Sequence, residues 1–128
     1  MRDEVLKKIL RAQDRKIPIA LITRLADGSQ AIMDRKKSID GDMTFNQQEV
    51  EEVLTCIRDD KSRLLSGGEN FVRVFNPKLR MIVVGAVHIA QALAPMAELA
   101  NFEVTIVDPR GSFASDARFP GVKLMDEW

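Results

Sequence analysis

A glycine turn after an apolar segment is the feature of this sequence best suited to bind a ligand. Gly85 follows the run MIVV, and Val87 and Ala90 stand at the second and third positions of the spacing G-x-G-x-x-G/A. In nucleotide-binding turns the first glycine makes the bend, the second lets the backbone approach a diphosphate, and the third lets helix and strand pack closely. Gly85 and Ala90 suit these roles, whereas the β-branched Val87 stands where a diphosphate would rest.

An anion could still bind at this turn in another way. The helix predicted after Gly85 begins with backbone N–H groups that have no partner inside the helix, and its dipole places positive charge there. The candidate cofactor-binding residues of the turn are therefore Gly85, Ala86, Val87 and His88. A protonated His88 could pair with a phosphate, although the helix dipole opposes its charge; the alternative is a histidine bonded to nearby backbone.

Two charged residues follow the second strand of the same segment, about 20 residues after the turn, where a dinucleotide-binding fold carries its ribose-binding carboxylate. Asp108 could bind a ligand hydroxyl or amine there, or it could accept hydrogen bonds from local N–H groups before Pro109. Arg110 could bind a phosphate through two parallel hydrogen bonds, or it could be a solvated surface charge. Both pairs of alternatives remain open at the level of the sequence.

The single cysteine, Cys56, lies in an apolar stretch between Leu54 and Ile57. A thiolate there could ligate a soft metal or carry a persulfide. Apolar neighbours favour the other interpretation, a small buried residue with a raised pKa. No CxxC pair or His/Cys cluster has the spacing of a zinc site, so no metal site is predicted.

The composition excludes several classes of protein. The 128 residues contain 19 Lys+Arg and 19 Asp+Glu, and this balance argues against a dedicated nucleic-acid surface. The apolar fraction of 45% is sufficient for a packed core. The charged N-terminal segment lacks the features of a secretory signal, and polar residues and Pro95 interrupt the most apolar window. We therefore expect a cytoplasmic protein without a membrane span.

The elements of the first half follow from periodicity and turn residues. Residues 2–14 have the apolar spacing of a helix, and residues 17–25 read as a buried strand. Asp27-Gly28 predicts a hairpin turn, and residues 29–34 read as the returning strand.

A second helix is predicted after a polar loop, over residues 45–65. Thr44 and Gln47 have the spacing of a capping box, and the segment SGG is expected to end the helix. FVRVF then alternates as a strand, and RMIVVGA begins the strand–turn–helix–strand segment that carries the candidate site.

The break at Asn76-Pro77-Lys78 predicts two domains, a small α+β domain over residues 1–77 and a partial Rossmann-like βαβ domain over residues 78–128. The fold class is α/β with an incomplete Rossmann-like unit, because a full doubly wound sheet needs roughly twice as many strands. The final GVKLMDEW reads as a lead-in to a further element. The sheet edge after the second strand is then expected to pair with another strand, for example in a homo-oligomer.

Several segments, in order along the chain, resemble the XdhC/CoxI family, the accessory or maturation factors of xanthine dehydrogenase and carbon monoxide dehydrogenase. These segments are ITRLADGSQ, GAVHIAQALAPMA, VDPR and RFPGV, and the resemblance covers nearly the whole chain. It implies a small α+β N-terminal domain joined to a C-terminal Rossmann-like domain. Family members usually continue further, so the chain resembles a member truncated before the end of that domain.

The resemblance also implies a function. Such factors bind the molybdenum cofactor (molybdopterin), protect it and help deliver it in sulfurated form to a molybdenum hydroxylase of the xanthine or carbon monoxide dehydrogenase type, with a sulfurtransferase as a further partner. They are described as chaperones, which favours a cofactor-binding chaperone over an enzyme. Some members have a GAVH-type turn, so Val87 would suit a pterin cofactor's phosphate.

Two alternatives come from other classes of protein. Gly85, Ala90 and Asp108 are compatible with a fragment of an NAD- or FAD-dependent oxidoreductase, with Val87 as the obstacle. The chain could also be an assembly module that binds no small molecule and pairs only through its sheet edge.

Overall fold

A computed structural model describes residues 3–127 of the chain. Within these residues the structure is mixed α/β, with three helices and two sheets, as predicted. The residues form two compact units, one ending at Pro77 and the other beginning at Lys78. Arg2 of the predicted first helix and Trp128 of the C-terminal segment lie outside the described residues.

The N-terminal unit is an antiparallel sheet with two helices. Its elements are α1 (Asp3–Asp14), β1 (Ile19–Arg24), β2 (Gln30–Asp34), β3 (Ile39–Asp40), α2 (Gln47–Asp59), β4 (Arg63–Leu64) and β5 (Asn70–Phe75). The strand order is β3-β2-β1-β5-β4, so β1 is the central strand.

The core of this unit lies on both faces of β1, because successive side chains of a strand point to opposite faces. Ala20 and Ile22 belong to the cluster that α2 supplies with apolar residues, and both are fully buried. Ile19 and Leu21 belong to a second cluster with Ile9 of α1. This burial on both faces explains why β1 reads as a continuous apolar run.

The predicted bounds and cap of α2 are wrong. The structure forms a capping box between Asn46 and Glu49: the Asn46 side chain accepts from the Glu49 N–H at 2.9 Å, and the Glu49 carboxylate accepts from the Asn46 N–H at 3.0 Å. A charged acceptor makes this box stronger than the one predicted with Gln47. The helix ends at Asp59 because Asp60 adopts a φ of 52°. The SGG segment lies instead in the turn between β4 and β5.

The C-terminal unit is a three-stranded parallel sheet with one helix, as expected of a Rossmann-like unit. The elements of this unit are β6 (Leu79–Val84), α3 (His88–Leu99), β7 (Phe102–Val107) and β8 (Lys123–Met125). Strands β6 and β7 pair in register from Leu79↔Phe102 to Val84↔Val107, and the strand order is β6-β7-β8.

Strand β8 pairs with the edge of the sheet that the sequence analysis expected another strand to cover. The edge after β7, which was expected to pair with another strand such as one from a second copy, pairs with β8 of the same chain, formed by part of the segment GVKLMDEW. Among residues 3–127 the open edges of this sheet belong to β6 and β8.

Helix α3 packs on this sheet through small residues. Ala90, Ala94 and Ala97 are buried against Val104 and Ile106 of β7. The alanines allow close contact between helix and sheet, while Pro95 lies on the exposed side. No helix of the described chain is both long enough and apolar enough to span a membrane.

Candidate functional site

The turn between β6 and α3 has the backbone conformation that its glycine predicts. Gly85 has a φ of 105°, which residues with a Cβ rarely adopt. Its N–H donates to the Val107 carbonyl at 2.8 Å, so the turn is joined to the end of β7. Val87 is the N-cap residue of α3, and its side chain makes no capping hydrogen bond.

The backbone N–H groups of this turn divide into two sets. The Ala86 N–H donates to Asp108 Oδ2 at 2.8 Å, and the Ala90 N–H donates to the Val87 carbonyl at 3.0 Å. The N–H groups of Val87 and His88 have no hydrogen-bond partner among residues 3–127. The turn therefore offers fewer free N–H groups to an anion than the sequence suggests, because the Ala86 N–H already donates to Asp108.

Asp108 is buried at the end of β7, and both of its oxygens are occupied. Oδ1 accepts from the Arg110 backbone N–H at 2.9 Å and from Arg110 Nε at 3.0 Å. Oδ2 accepts from Ala86 and from Arg110 Nη2, both at 2.8 Å. A carboxylate has about four acceptor positions, so a ribose hydroxyl would have to displace a donor from the protein.

These contacts fix the charge of Asp108. The Arg110 side chain, followed by the backbone N–H groups of Ala86 and Arg110, holds the pKa of the Asp108 carboxyl far below its usual range. The same pair raises the pKa of the Arg110 guanidinium. Asp108 is therefore ionised at neutral pH, with Arg110 as its counter-ion.

Arg110 lies between the buried carboxylate and solvent. Its side chain remains 56% exposed although it forms a bidentate pair with Asp108. Its guanidinium carbon lies 4.2 Å from the centroid of the Phe113 ring. The sequence left the roles of Asp108 and Arg110 open. In the structure the two residues form an ion pair, so each is the other's hydrogen-bond partner.

Arg118 belongs to this group of residues, and the sequence reasoning missed it. Its Nη1 donates to the carbonyls of Ala86 and Phe113, each at 2.8 Å, and its Nη2 donates to Gln91 Oε1 at 3.0 Å. The Ala86 residue is therefore held on its N–H side by Asp108 and on its carbonyl side by Arg118. We call these two residues the Ala86 clamp. The only signal in the sequence was the RFPGV segment, which contains Arg118.

The remaining predicted residues are accessible or unrelated to the turn. Val87 is 50% exposed. His88 is exposed in the first turn of α3, and its imidazole has no hydrogen-bond partner within the described chain. Cys56 is buried in the N-terminal unit, and burial raises the pKa of its thiol, as its apolar neighbours indicated. Residues 3–127 contain no group of three or more His, Cys, Asp and Glu side chains that could hold a metal ion.

Comparison with protein families identifies a domain model that matches the C-terminal part of the chain. Residues 81–124 match the model of the XdhC Rossmann domain. The matched segment begins in β6 and ends in β8, and it contains the turn, Asp108, Arg110 and Arg118. The resemblance read from the sequence is confirmed for this C-terminal segment.

Comparison with solved structures shows a similar fold. A Bacillus halodurans protein named a xanthine dehydrogenase matches with a TM-score of 0.68 and 16% sequence identity, over 95% of this chain and 35% of its own. The chain thus spans about a third of the length of that protein. No curated protein matches the chain.

Proposed function

We propose that this chain, whose C-terminal unit carries an XdhC Rossmann domain, is an accessory factor for a molybdenum hydroxylase of the xanthine dehydrogenase type. It would bind the molybdenum cofactor and help insert it into that enzyme, as a chaperone and without a reaction of its own. The family match over residues 81–124 supports the accessory role. The observation that carries cofactor binding is the pair of unpartnered N–H groups on Val87 and His88 at the start of α3.

The donor set around the turn suits a phosphate group such as that of the cofactor. Two free N–H groups at a helix N-terminus favour an anion. Asp108 and Arg110 neutralise each other, whereas Arg118 donates only to two carbonyls and an amide oxygen. One positive charge in this group is therefore uncompensated, which favours a bound anion further.

The cofactor would bring its own metal chemistry. The chain's own residues would supply contacts to the cofactor's pterin and phosphate groups. The backbone N–H groups of Val87 and His88 would hold the phosphate, and Arg110, whose side chain is 56% exposed and paired with Asp108, would be a further donor. Their contribution is to bind and orient the cofactor.

The alternative of an NAD- or FAD-dependent oxidoreductase fragment has less support. The ribose-binding role would require Asp108 to exchange a donor of its own chain for a ligand hydroxyl. The exposed Val87 side chain would also stand where the diphosphate approaches. NAD is therefore the less favoured ligand.

A pair of variants at Val87 tests the phosphate site. Val87→Asp and Val87→Asn both provide an N-cap acceptor for α3, so neither should destabilise the helix. Only aspartate adds a negative charge beside the proposed phosphate, so Val87→Asp should lose affinity for isolated molybdenum cofactor in equilibrium dialysis while Val87→Asn should retain most of it. Equal binding by both variants, or no binding by the unmodified chain, would contradict the proposal.

The partner proteins require a separate experiment. Co-purification of the tagged chain with an apo-hydroxylase of the xanthine dehydrogenase type, assayed for cofactor content, tests the insertion step. A sulfurtransferase partner, which the family resemblance implies, would have to act on the bound cofactor, because Cys56 is buried.

A further inference from the structure

The loop between β7 and β8 lies beside the turn that carries the free N–H groups. Asp108 Oδ2 accepts from the Ala86 N–H and from Arg110 Nη2, both at 2.8 Å, so these two nitrogen atoms are at most twice that distance apart. Arg118 Nη1 donates to the carbonyls of Ala86 and Phe113, also at 2.8 Å each, so these two oxygens are equally close. The Arg110 guanidinium and the backbone of Phe113 are therefore next to the turn.

The orientation of the Arg110 guanidinium is fixed along its edge and on one face. Its Nε and Nη2 donate to the two oxygens of Asp108, which is 1% exposed. A bidentate pair of this kind fixes the plane of the guanidinium as well as its position. The Phe113 ring lies against one face of that plane, with its centroid 4.2 Å from the guanidinium carbon.

The loop brings these groups together by its own hydrogen bonds. The Phe113 N–H donates to the Arg110 carbonyl at 2.8 Å, and this turn sets the two side chains beside each other. Arg118 holds the Phe113 carbonyl, and Phe119 is buried in the core of the unit. The guanidinium plane is thus positioned before a ligand binds, which lowers the entropy lost on binding.

The Arg110 side chain is nevertheless accessible, since 56% of it is exposed. Neutralising Asp108 requires only a positive charge, which lysine would also supply. A guanidinium offers in addition a flat face that stacks on aromatic rings, and proteins use this face to hold nucleobases. A fixed and accessible plane beside an anion-binding turn therefore suits a ligand that joins a flat ring to a phosphate.

We propose that the Arg110 guanidinium is a stacking platform for the flat nitrogen heterocycle of a phosphate-bearing ligand. The ring lies on the face opposite Phe113, while the phosphate binds the free N–H groups of Val87 and His88. The pterin of the molybdenum cofactor is the heterocycle that the proposed function supplies, and this assignment rests on that function. Arg110 determines specificity for the ring, and Phe113 is a positioning residue that supports the guanidinium.

Arg110→Lys separates stacking from charge. Lysine keeps a positive charge that can pair with Asp108 but has no flat face. In equilibrium dialysis with isolated molybdenum cofactor, this variant should lose about tenfold or more in affinity, the usual effect of one lost stacking contact. Inorganic phosphate, measured as a competitor, has no ring and should bind the variant and the unmodified chain equally. Retained cofactor affinity, or an equal loss for inorganic phosphate, would overturn the platform.

A second variant leaves the ion pair with Asp108 in place. Phe113→Leu removes the ring behind the guanidinium and keeps an apolar side chain, so it should weaken cofactor binding but not phosphate competition. Phe113→Tyr, which restores the ring, should bind as the unmodified chain does. Unchanged cofactor affinity in Phe113→Leu would contradict the positioning role.

The matched control is an arginine beside a phenylalanine in the N-terminal unit. The guanidinium carbon of Arg73 lies 5.8 Å from the centroid of the Phe75 ring, and Arg73 is exposed on β5. Arg73→Lys makes the same chemical change away from the turn and should leave cofactor affinity unchanged. A loss equal to that of Arg110→Lys would assign the effect to arginine content and not to this site.

Adenosine monophosphate separates the platform from the proposed function, because it also joins a flat nitrogen heterocycle to a phosphate. We expect the cofactor to bind more tightly than this nucleotide. Cofactor binding that does not depend on Arg110 would overturn the platform and leave the proposed function standing. Arg110-dependent binding of the nucleotide without binding of the cofactor would uphold the platform and overturn the proposed function. Binding of neither ligand would overturn both.

Discussion

The carboxylate of Asp108 accepts a hydrogen bond from the backbone N–H of Ala86 at 2.8 Å, which joins the end of β7 to the turn after β6. The Arg118 guanidinium completes the Ala86 clamp by donating to the Ala86 carbonyl at the same distance. The turn is therefore held in shape by the chain's own charged residues. This arrangement fixes the positions of the free N–H groups of Val87 and His88 before a ligand binds. Less conformational entropy is then lost when these donors bind an anion.

Replacement of Arg118 should loosen the turn. Arg118→Met keeps much of the side-chain volume but removes the hydrogen bonds to Ala86, Phe113 and Gln91. We expect a loss of about 1–3 kcal/mol in the free energy of unfolding of the C-terminal unit, because the carbonyl of the buried Ala86 loses a charged donor. Hydrogen exchange of peptides from residues 78–127 measures this loss without interference from the N-terminal unit.

The matched control for this variant is Arg73→Met. Arg73 is exposed on β5, and its recorded contact is with the Phe75 ring at 5.8 Å. We expect a change within about 0.5 kcal/mol, as for most surface substitutions. Equal exchange rates for the two variants would show that the clamp does not stabilise the turn.

We expect the Asp108–Arg110 pair to make the C-terminal unit sensitive to acid. The pKa of Asp108 is far below its usual range in the folded unit, first because of the Arg110 side chain and then because of the Ala86 and Arg110 N–H groups. A carboxyl with a lowered folded pKa stabilises fully above its unfolded pKa of about 3.9 and loses this contribution as the pH falls toward the folded pKa. Amide exchange in residues 78–127 should therefore accelerate below about pH 4, relative to intrinsic rates.

Asp108→Asn is the control for this pH dependence. Asparagine cannot ionise, and its amide presents one acceptor where the carboxylate presents two. We expect this variant to be less stable than the unmodified chain at pH 7 and to lose the part of the acid sensitivity that Asp108 causes. A variant with the same acid response as the unmodified chain would assign the response to other carboxylates.

Residue patterns predicted that the site contains the Gly85 turn and Asp108, but they did not predict that it contains Arg118. The spacing from Gly85 to Asp108 predicted that the turn and the end of β7 meet, because a βαβ unit brings the carboxyl ends of parallel strands together. Arg118 contacts Ala86 although the two residues are 32 positions apart in the sequence. The contact depends on the conformation of the loop before β8, which is fixed by burial of Phe119 in the core. No periodicity encodes such a contact.

Short strands were missed for a related reason. β3, Ile39–Asp40, has two exposed residues, so it has neither the alternation nor the apolar run that identifies a strand. It forms because β2 offers an edge to pair with. Asp27-Gly28, in contrast, predicted the β1–β2 hairpin correctly, because the turn requires a positive φ and Gly28 has a φ of 72°.

The cap of α2 offers a direct test between the sequence-based and the observed start of this helix. Asn46→Ala removes the side chain that accepts from the Glu49 N–H, and it should cost about 1 kcal/mol in the free energy of unfolding. Thr44→Ala removes the cap predicted from the sequence, and it should change stability by less than about 0.5 kcal/mol because Thr44 is exposed. Urea denaturation followed by circular dichroism compares the two, and a larger effect at Thr44 would contradict the observed cap.

Gly41 is the glycine at which an added Cβ meets the most resistance. Its φ is 138°, and a Cβ would lie 2.7 Å from the Gln30 carbonyl oxygen and 2.9 Å from the Ala31 Cα. Both contacts are with the backbone of β2, which cannot move without disturbing the pairing of β2 with β1. Gly41→Ala should therefore destabilise the N-terminal unit by more than about 1 kcal/mol.

Gly67→Ala is its counterpart, since a Cβ at Gly67 meets no atom within 4 Å and its φ lies outside the strained region. We expect this variant to be neutral or slightly more stable, because alanine restricts the unfolded chain. Thermal unfolding of both variants, with peptide-level hydrogen exchange to assign the change to residues 3–77, measures the difference. If Gly41→Ala unfolded at the same temperature as Gly67→Ala, the close approach of β2 to Gly41 would not exist in solution, and the segment that contains β3 would be free to move away from the sheet.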